Sequence, residues 1–189
     1  MWIAKIFQKI GLIPNHITVL MLLNSIAASV IIIFSNHFWV FGILTFLTGI
    51  FDGVDGALAR LTGKSTKFGA FFDSTLDRIS EIVLYLGLFL NSNFFKWGNP
   101  VHQGIIIIVI FSSLMISYVR SRAENISESD YDVGVFARSE RLFVLFLICV
   151  IPLPIVYSIG LTFLGIGVLS TMIYRIIFIS RDLVYRQKE

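Results

Sequence analysis

Uncharged apolar stretches alternate with short polar breaks along the whole chain. His16 to Ser35 contains no Lys, Arg, Asp or Glu, which predicts a membrane-crossing helix, because a span needs about 20 mostly apolar residues. Asn36 and His37 break the run. Further spans are expected at about 38–61, 68–90 and 104–122, with a polar loop over Asn91–Gln103 that carries Gly98, Asn99 and Pro100. Arg120–Glu140 is the most polar stretch and reads as a connecting loop. Leu142–Tyr174 then runs 33 positions without a charge, too long for one ordinary span. Pro152 and Pro154 divide it, so two spans are expected at about 139–156 and 158–180. Ahead of the first span, Ile3, Ile6, Phe7 and Ile10 recur at near-helical spacing opposite Lys5, Gln8 and Lys9. This pattern predicts a short amphipathic helix lying in the membrane interface within 1–13, ended by Pro14.

The expected fold class is an all-α integral membrane protein: six transmembrane helices plus the interfacial helix, in one domain over 1–189. Composition agrees, with 56% hydrophobic and 14% charged residues and a mean hydropathy of +0.85. A chain of 189 residues holds six spans and little else, so no separate soluble domain is expected. The single cysteine, Cys149, excludes an intrachain disulfide and a thiolate metal cluster; packing is its expected role. The N-terminus has no small-residue cleavage site and reads as retained. Six spans put both termini on one side, together with every Lys and Arg except Lys96. By the positive-inside rule that side is cytoplasmic. A multi-pass protein of the cell membrane is expected, with no nucleic acid partner.

Two expected spans carry acidic residues, which are costly within a bilayer and by default signal function. Asp52 and Asp55 are three apart, and Asp73 and Asp77 are four apart, so each pair shares one helix face. A hairpin centred near Lys64 sets Asp55 opposite Asp73 and Asp52 opposite Asp77, so that all four carboxylates converge near the cytoplasmic face. Such a cluster repels itself unless cations neutralise it. An all-carboxylate donor set favours Mg²⁺, Mn²⁺ or Ca²⁺ over zinc, which normally recruits His or Cys. Four carboxylates suffice for two ions, an arrangement suited to phosphoryl transfer. Around them lie the small residues Gly53, Gly56, Ala57, Ala59, Gly69 and Ala70. Helix packing alone explains small residues; Gly56 and Gly69, beside the carboxylates, also leave room for a nucleotide.

The run Asp52-x-x-Asp55-Gly56-x-x-Ala59-Arg60, then Gly69, Asp73 and Asp77, resembles the signature of the CDP-alcohol phosphotransferases without gap or substitution. Pro14-Asn15-His16-Ile17-Thr18 resembles the family's N-terminal pattern, although a helix start also explains it. The resemblance implies transfer of a phosphatidyl-type group from a CDP-linked lipid to an alcohol, with release of CMP. It implies that Asp52, Asp55, Asp73 and Asp77 ligate two Mg²⁺ or Mn²⁺ ions and that Asp77 also serves as general base. Gly56, Ala59 and Gly69 would shape the nucleotide pocket, with Arg60 against the pyrophosphate; a span-end arginine that merely snorkels is the alternative for Arg60. A homodimer is implied as well.

The arginines bear on the acceptor. Arg120, Arg138, Arg141 and Arg175 fall on the aspartates' side, a cluster suited to an acceptor bearing its own phosphate. Topology alone also places arginines at such span ends. Ser117–Glu124 and Arg138–Leu142 resemble the family's inositol-phosphate-using members, the phosphatidylinositol phosphate and archaetidylinositol phosphate synthases. By that resemblance Arg120, Arg138 and Arg175 would hold inositol 1-phosphate. Glycerol 3-phosphate and serine are the rival acceptors. Outside the enzymes, a cation carrier or channel is the competing class, because intramembrane carboxylates also mark ion pathways.

Overall fold

The computed structural model describes residues 2–63, 65–91, 100–127, 129–151 and 153–186. These residues form helices only: α1 (Trp2–Lys9), α2 (Pro14–Ser35), α3 (Phe38–Thr62), α4 (Lys67–Leu90), α5 (Pro100–Glu124), α6 (Arg138–Val150) and α7 (Pro154–Arg186). The all-α expectation holds. Lys64, Lys96, Gly98, Asn99 and Pro152, which entered the sequence reading, lie outside the described residues.

Among the first five helices three boundaries differ from expectation, and two turn on proline; beyond them α6 stops at Val150 rather than about 156, and α7 runs Pro154–Arg186 rather than about 158–180. Pro14 does not end the N-terminal helix; it opens α2. Pro100 likewise opens α5, four residues before the expected span. A proline's fixed φ and missing N–H suit the first helical position, where the N–H has no partner in any case. The third difference is at Arg120–Glu124, which continues α5 as helix rather than loop.

By length and apolar composition, α2, α3, α5 and α7 qualify as membrane-crossing helices. The six expected spans are thus met by four on these grounds. α6 has 13 residues, about 20 Å at 1.5 Å per residue, against a hydrocarbon core of about 30 Å. α4 has the length, but it carries Lys67, Asp73, Asp77 and Arg78 in its first half and Glu81 just beyond.

Helix α2 packs along both α3 and α4, which touch each other little. This replaces the simple two-helix hairpin expected about Lys64. Polar side chains set the spacing. Asn24 of α2 donates to the Leu44 carbonyl at 2.8 Å and to Thr48 Oγ1 at 2.9 Å, both on α3. On the other flank, Ser29 Oγ donates to the Val83 carbonyl of α4 at 2.7 Å. Gly87 makes that approach possible, since a Cβ there would come within 2.8 Å of Ser29; small residues commonly serve this purpose between membrane helices. At the far end, Asn91 Nδ2 donates to the Ile32 carbonyl and Asn36 Oδ1, tying the ends of α2 and α4.

α3 also packs on α6, and α7 on α5 and α6. Phe41, Leu84, Leu88, Leu145 and Leu164 form the shared core, where Cys149 is also buried. α1 lies against α3, its Ala4 packing with Ile17, Val54 and Leu58 close to the aspartates. Gly63, at φ 64°, caps α3 through bonds to the Ala59 and Arg60 carbonyls. Thr66 then starts α4, its side chain accepting from the Gly69 N–H at 2.9 Å. This short turn brings the two aspartate-bearing helix ends together.

Candidate active site

The spacing of the aspartates along α3 and α4 places them in the gap between these helices. Ligand atoms of Asp52, Asp73 and Asp77 lie within 4.8 Å of one another. Asp55 stands outside that group of three but within interacting range of Asp73, just as Asp52 interacts with Asp77. The pairing expected across the turn is therefore present. Asp55 is the most enclosed of the four, at 2% exposed. Its Oδ2 accepts from Thr18 Oγ1 of α2 at 3.0 Å, and its Oδ1 from the Gly56 N–H at 2.6 Å.

Arg138, the first residue of α6, supplies positive charge to this cluster. Its Nη1 bridges the Asp52 and Asp77 carboxylates, 2.8 Å from the latter. Asp73 Oδ1 is buried without a hydrogen-bond donor. Converging carboxylates, one with an orphaned buried oxygen and two sharing a single guanidinium that offsets only one of their charges, fit hard divalent cations, which take oxygen ligands.

Two cavities reach this cluster. The smaller, of about 180 Å³, is lined by Asp55, Gly56, Ala59, Arg60, Gly69 and Asp73, with Asn15, Thr18 and Thr66 from neighbouring segments. All four residues assigned to the nucleotide thus share one pocket. A Cβ at 69 would press on Thr66 Oγ1 at 3.0 Å, whereas one at 56 would make only ordinary contact with Arg60 at 3.5 Å, so close approach calls for glycine at 69 alone. The larger cavity, of about 470 Å³, is lined by Asp52, Arg78, Arg120, Arg138, Arg141 and Arg175 among others.

The arginines of the larger cavity differ in what holds them. Arg141 is 1% exposed and donates to both oxygens of Glu81, at 2.6 and 2.7 Å, and to the Phe136 carbonyl at 2.9 Å. It is a fixed strut. Arg175 is 3% exposed and bonds the Val133 and Ile116 carbonyls and Asp132. Arg120 is more open and pairs with Glu124 at 2.7 Å and Asp132 at 2.9 Å. Thr18, Glu81 and Asp132 had no fixed part in the site from sequence. Two of them carried a signal, Thr18 as the last residue of the Pro14–Thr18 pattern and Glu81 as a carboxylate one turn beyond Asp77 within an expected span.

These features define an α-helical membrane protein with a carboxylate centre served by a small pocket and an arginine-lined cavity. The chain belongs to the CDP-alcohol phosphatidyltransferase family, whose profile matches residues 11–181. It is therefore a transferase of phospholipid synthesis rather than an ion carrier or channel. It is 34% identical over 145 residues to the archaetidylinositol phosphate synthase of Pyrococcus horikoshii, covering 77% of this chain and 73% of the relative. The crystal structure of Mycobacterium tuberculosis phosphatidylinositol phosphate synthase with CDP-DAG bound superposes with a TM-score of 0.82. The identity is 28%, and 94% of this chain and 91% of that one are covered. The same mycobacterial enzyme in complex with manganese and citrate gives a TM-score of 0.81 at 29% identity, covering 94% of this chain and 87% of that one.

Proposed function

We propose that the protein transfers a phosphatidyl-type group, archaetidyl or diacylglycerol-phosphate, from a CDP-linked lipid to a hydroxyl of inositol 1-phosphate, releasing CMP. Two Mg²⁺ or Mn²⁺ ions would be held by Asp52, Asp55, Asp73 and Asp77. The observation that carries this reading is that two separate cavities reach one aspartate cluster, one lined by the signature residues and the other by arginines. A two-substrate transfer needs that arrangement, because donor and acceptor must meet at the same carboxylates. The relative bound to CDP-DAG supports a CDP-lipid donor, and the names of the relatives support an inositol phosphate acceptor.

In this reading the smaller pocket takes the nucleotide, with Gly56, Ala59 and Gly69 giving it room and Arg60 at the pyrophosphate. Arg120, Arg138 and Arg175 bind and orient the acceptor's phosphate. Asp77 takes the proton of the attacking hydroxyl. The hydroxyl oxygen bonds to the phosphorus of the lipid phosphate, the bond from that phosphorus to the bridging oxygen breaks, and CMP leaves with that oxygen. Divalent cations, when bound, supply positive charge against the phosphoryl oxygens. The lipid tails remain in the bilayer throughout. Six spans, with α4 crossing despite its charges and the 13-residue α6 crossing where the bilayer thins around it, set the site and both termini on the cytoplasmic side of the cell membrane, and the protein works as a homodimer.

The test offers purified protein a CDP-lipid and Mn²⁺ with inositol 1-phosphate, inositol, glycerol 3-phosphate and serine in parallel, and measures CMP. Inositol 1-phosphate should give the fastest release. Release driven by serine alone would overturn the acceptor assignment.

A further inference from the structure

The segment joining α5 to α6 is held at three points. Tyr131, 1% exposed, donates from its hydroxyl to Asp182 of α7 at 2.8 Å. The Val133 carbonyl accepts from Arg175 Nε and Nη2 at 2.9 and 2.6 Å. The Phe136 N–H donates to Thr171 Oγ1 at 3.4 Å. Between the first two anchors sits Asp132. Its side chain is half-exposed, yet its carboxylate turns into the arginine-lined cavity, 2.9 Å from Arg120 Nη1 and 3.2 Å from Arg175 Nη2. Those are two of the three cations assigned to the acceptor's phosphate.

We propose that Asp132 determines acceptor specificity: its carboxylate fills the phosphate subsite between Arg120 and Arg175 and yields only to an acceptor bearing its own anionic group. This rests on the reading of the cavity as the acceptor site. The selectivity comes from exchange. A phosphate monoester brings up to two negative charges and three acceptor oxygens, so it replaces both ion pairs of Asp132 with charge-assisted bonds at least as strong. A neutral polyol leaves Arg175 without its carboxylate partner, whereas Arg120 keeps Glu124 and Asp130, and it gains nothing comparable. Rejection of the wrong ligand is thus built into the empty site. The exchange requires no loop movement, because the backbone is anchored on both sides of Asp132 and only its side chain has to rotate. Arg175 stays oriented afterwards, since its bonds to the Val133 and Ile116 carbonyls do not involve Asp132.

Asp132→Asn keeps the shape and removes the charge, and the half-exposed position tolerates it. With the full chain, a CDP-lipid and Mn²⁺, the variant should show a KM for inositol 1-phosphate lowered about five-fold, the size expected of two partly screened ion pairs. Its kcat and donor KM should stay unchanged, and CMP release with unphosphorylated inositol should rise. Calorimetric titration of inorganic phosphate without donor should show a matching gain in affinity. An unchanged or raised KM together with unchanged phosphate affinity overturns the proposal, as does a loss confined to kcat, which marks Asp132 as merely structural. Should the wild-type protein not respond to inositol 1-phosphate at all, the acceptor reading fails instead, and the phosphate titration still decides whether Asp132 competes for the subsite.

Discussion

The Glu81–Arg141 pair fixes α6 against α4, and its removal has a calculable effect. Both side chains are almost wholly enclosed, at 5% and 1% exposed, and joined by two bonds of 2.6 and 2.7 Å. Glu81→Leu leaves the Arg141 guanidinium buried without its anion, a change that costs about 3–5 kcal/mol. Arg141 keeps the Phe136 carbonyl at 2.9 Å, which places the expectation near the lower end, about 3 kcal/mol. At about 2–4 °C per kcal/mol for a chain of this size, the thermal midpoint in detergent should fall by about 6–12 °C. Adding Arg141→Met should recover most of the loss, because replacing a whole buried pair with apolar groups is often neutral. Thermal unfolding followed by size-exclusion chromatography gives the midpoints. A drop below about 2 °C for the single variant, or a double variant as unstable as the single one, refutes the claim that this pair holds the helices together.

Other substitutions probe the site and its frame. Asp77→Asn should leave the midpoint near wild type and lower CMP release about 10²–10⁴-fold, the range for losing a general base; undiminished turnover removes Asp77 from that role. Thr18→Val deletes the bond to Asp55, and a hydrogen bond to a charged group is worth about 1.5–3 kcal/mol. Mn²⁺ affinity should therefore weaken about ten-fold or more, with Thr18→Ser restoring it; equal affinity in Val and wild type excludes Thr18 as the group that orients Asp55. Gly87→Val forces a Cβ into Ser29 and should cost about 1–3 kcal/mol of stability by overpacking, read as a lower midpoint.

What the sequence shows of the site follows from how local each relationship is. Asp52 with Asp55, and Asp73 with Asp77, are one helical turn apart, so spacing alone puts each pair on a face, and the short turn then sets the pairs opposite each other. Thr18 reaches Asp55 across 37 positions, and no periodicity reveals that α2 packs beside both aspartate-bearing helices. Arg138 and Arg141 look interchangeable in the sequence, three residues apart at the start of α6. Their different roles arise from which carboxylate each meets, Asp52 and Asp77 for one and Glu81 for the other. Charge-free runs locate most of the helices, whereas prolines mislead at the boundaries, since they open α2 and α5 rather than close what precedes them. Hydropathy is weakest for α4, whose functional charges lower the signal that marks a span.

Crystals grown with MnCl₂ and a CDP-lipid, measured at the manganese absorption edge, test most directly the claim that the four aspartates form the metal centre between donor and acceptor. Two anomalous peaks, about 3.5–4 Å apart and within reach of Asp52, Asp55, Asp73 and Asp77, are expected, with Arg138 released from Asp52 and Asp77. Manganese bound elsewhere, or carboxylates still paired with Arg138 and no peak among them, would contradict it.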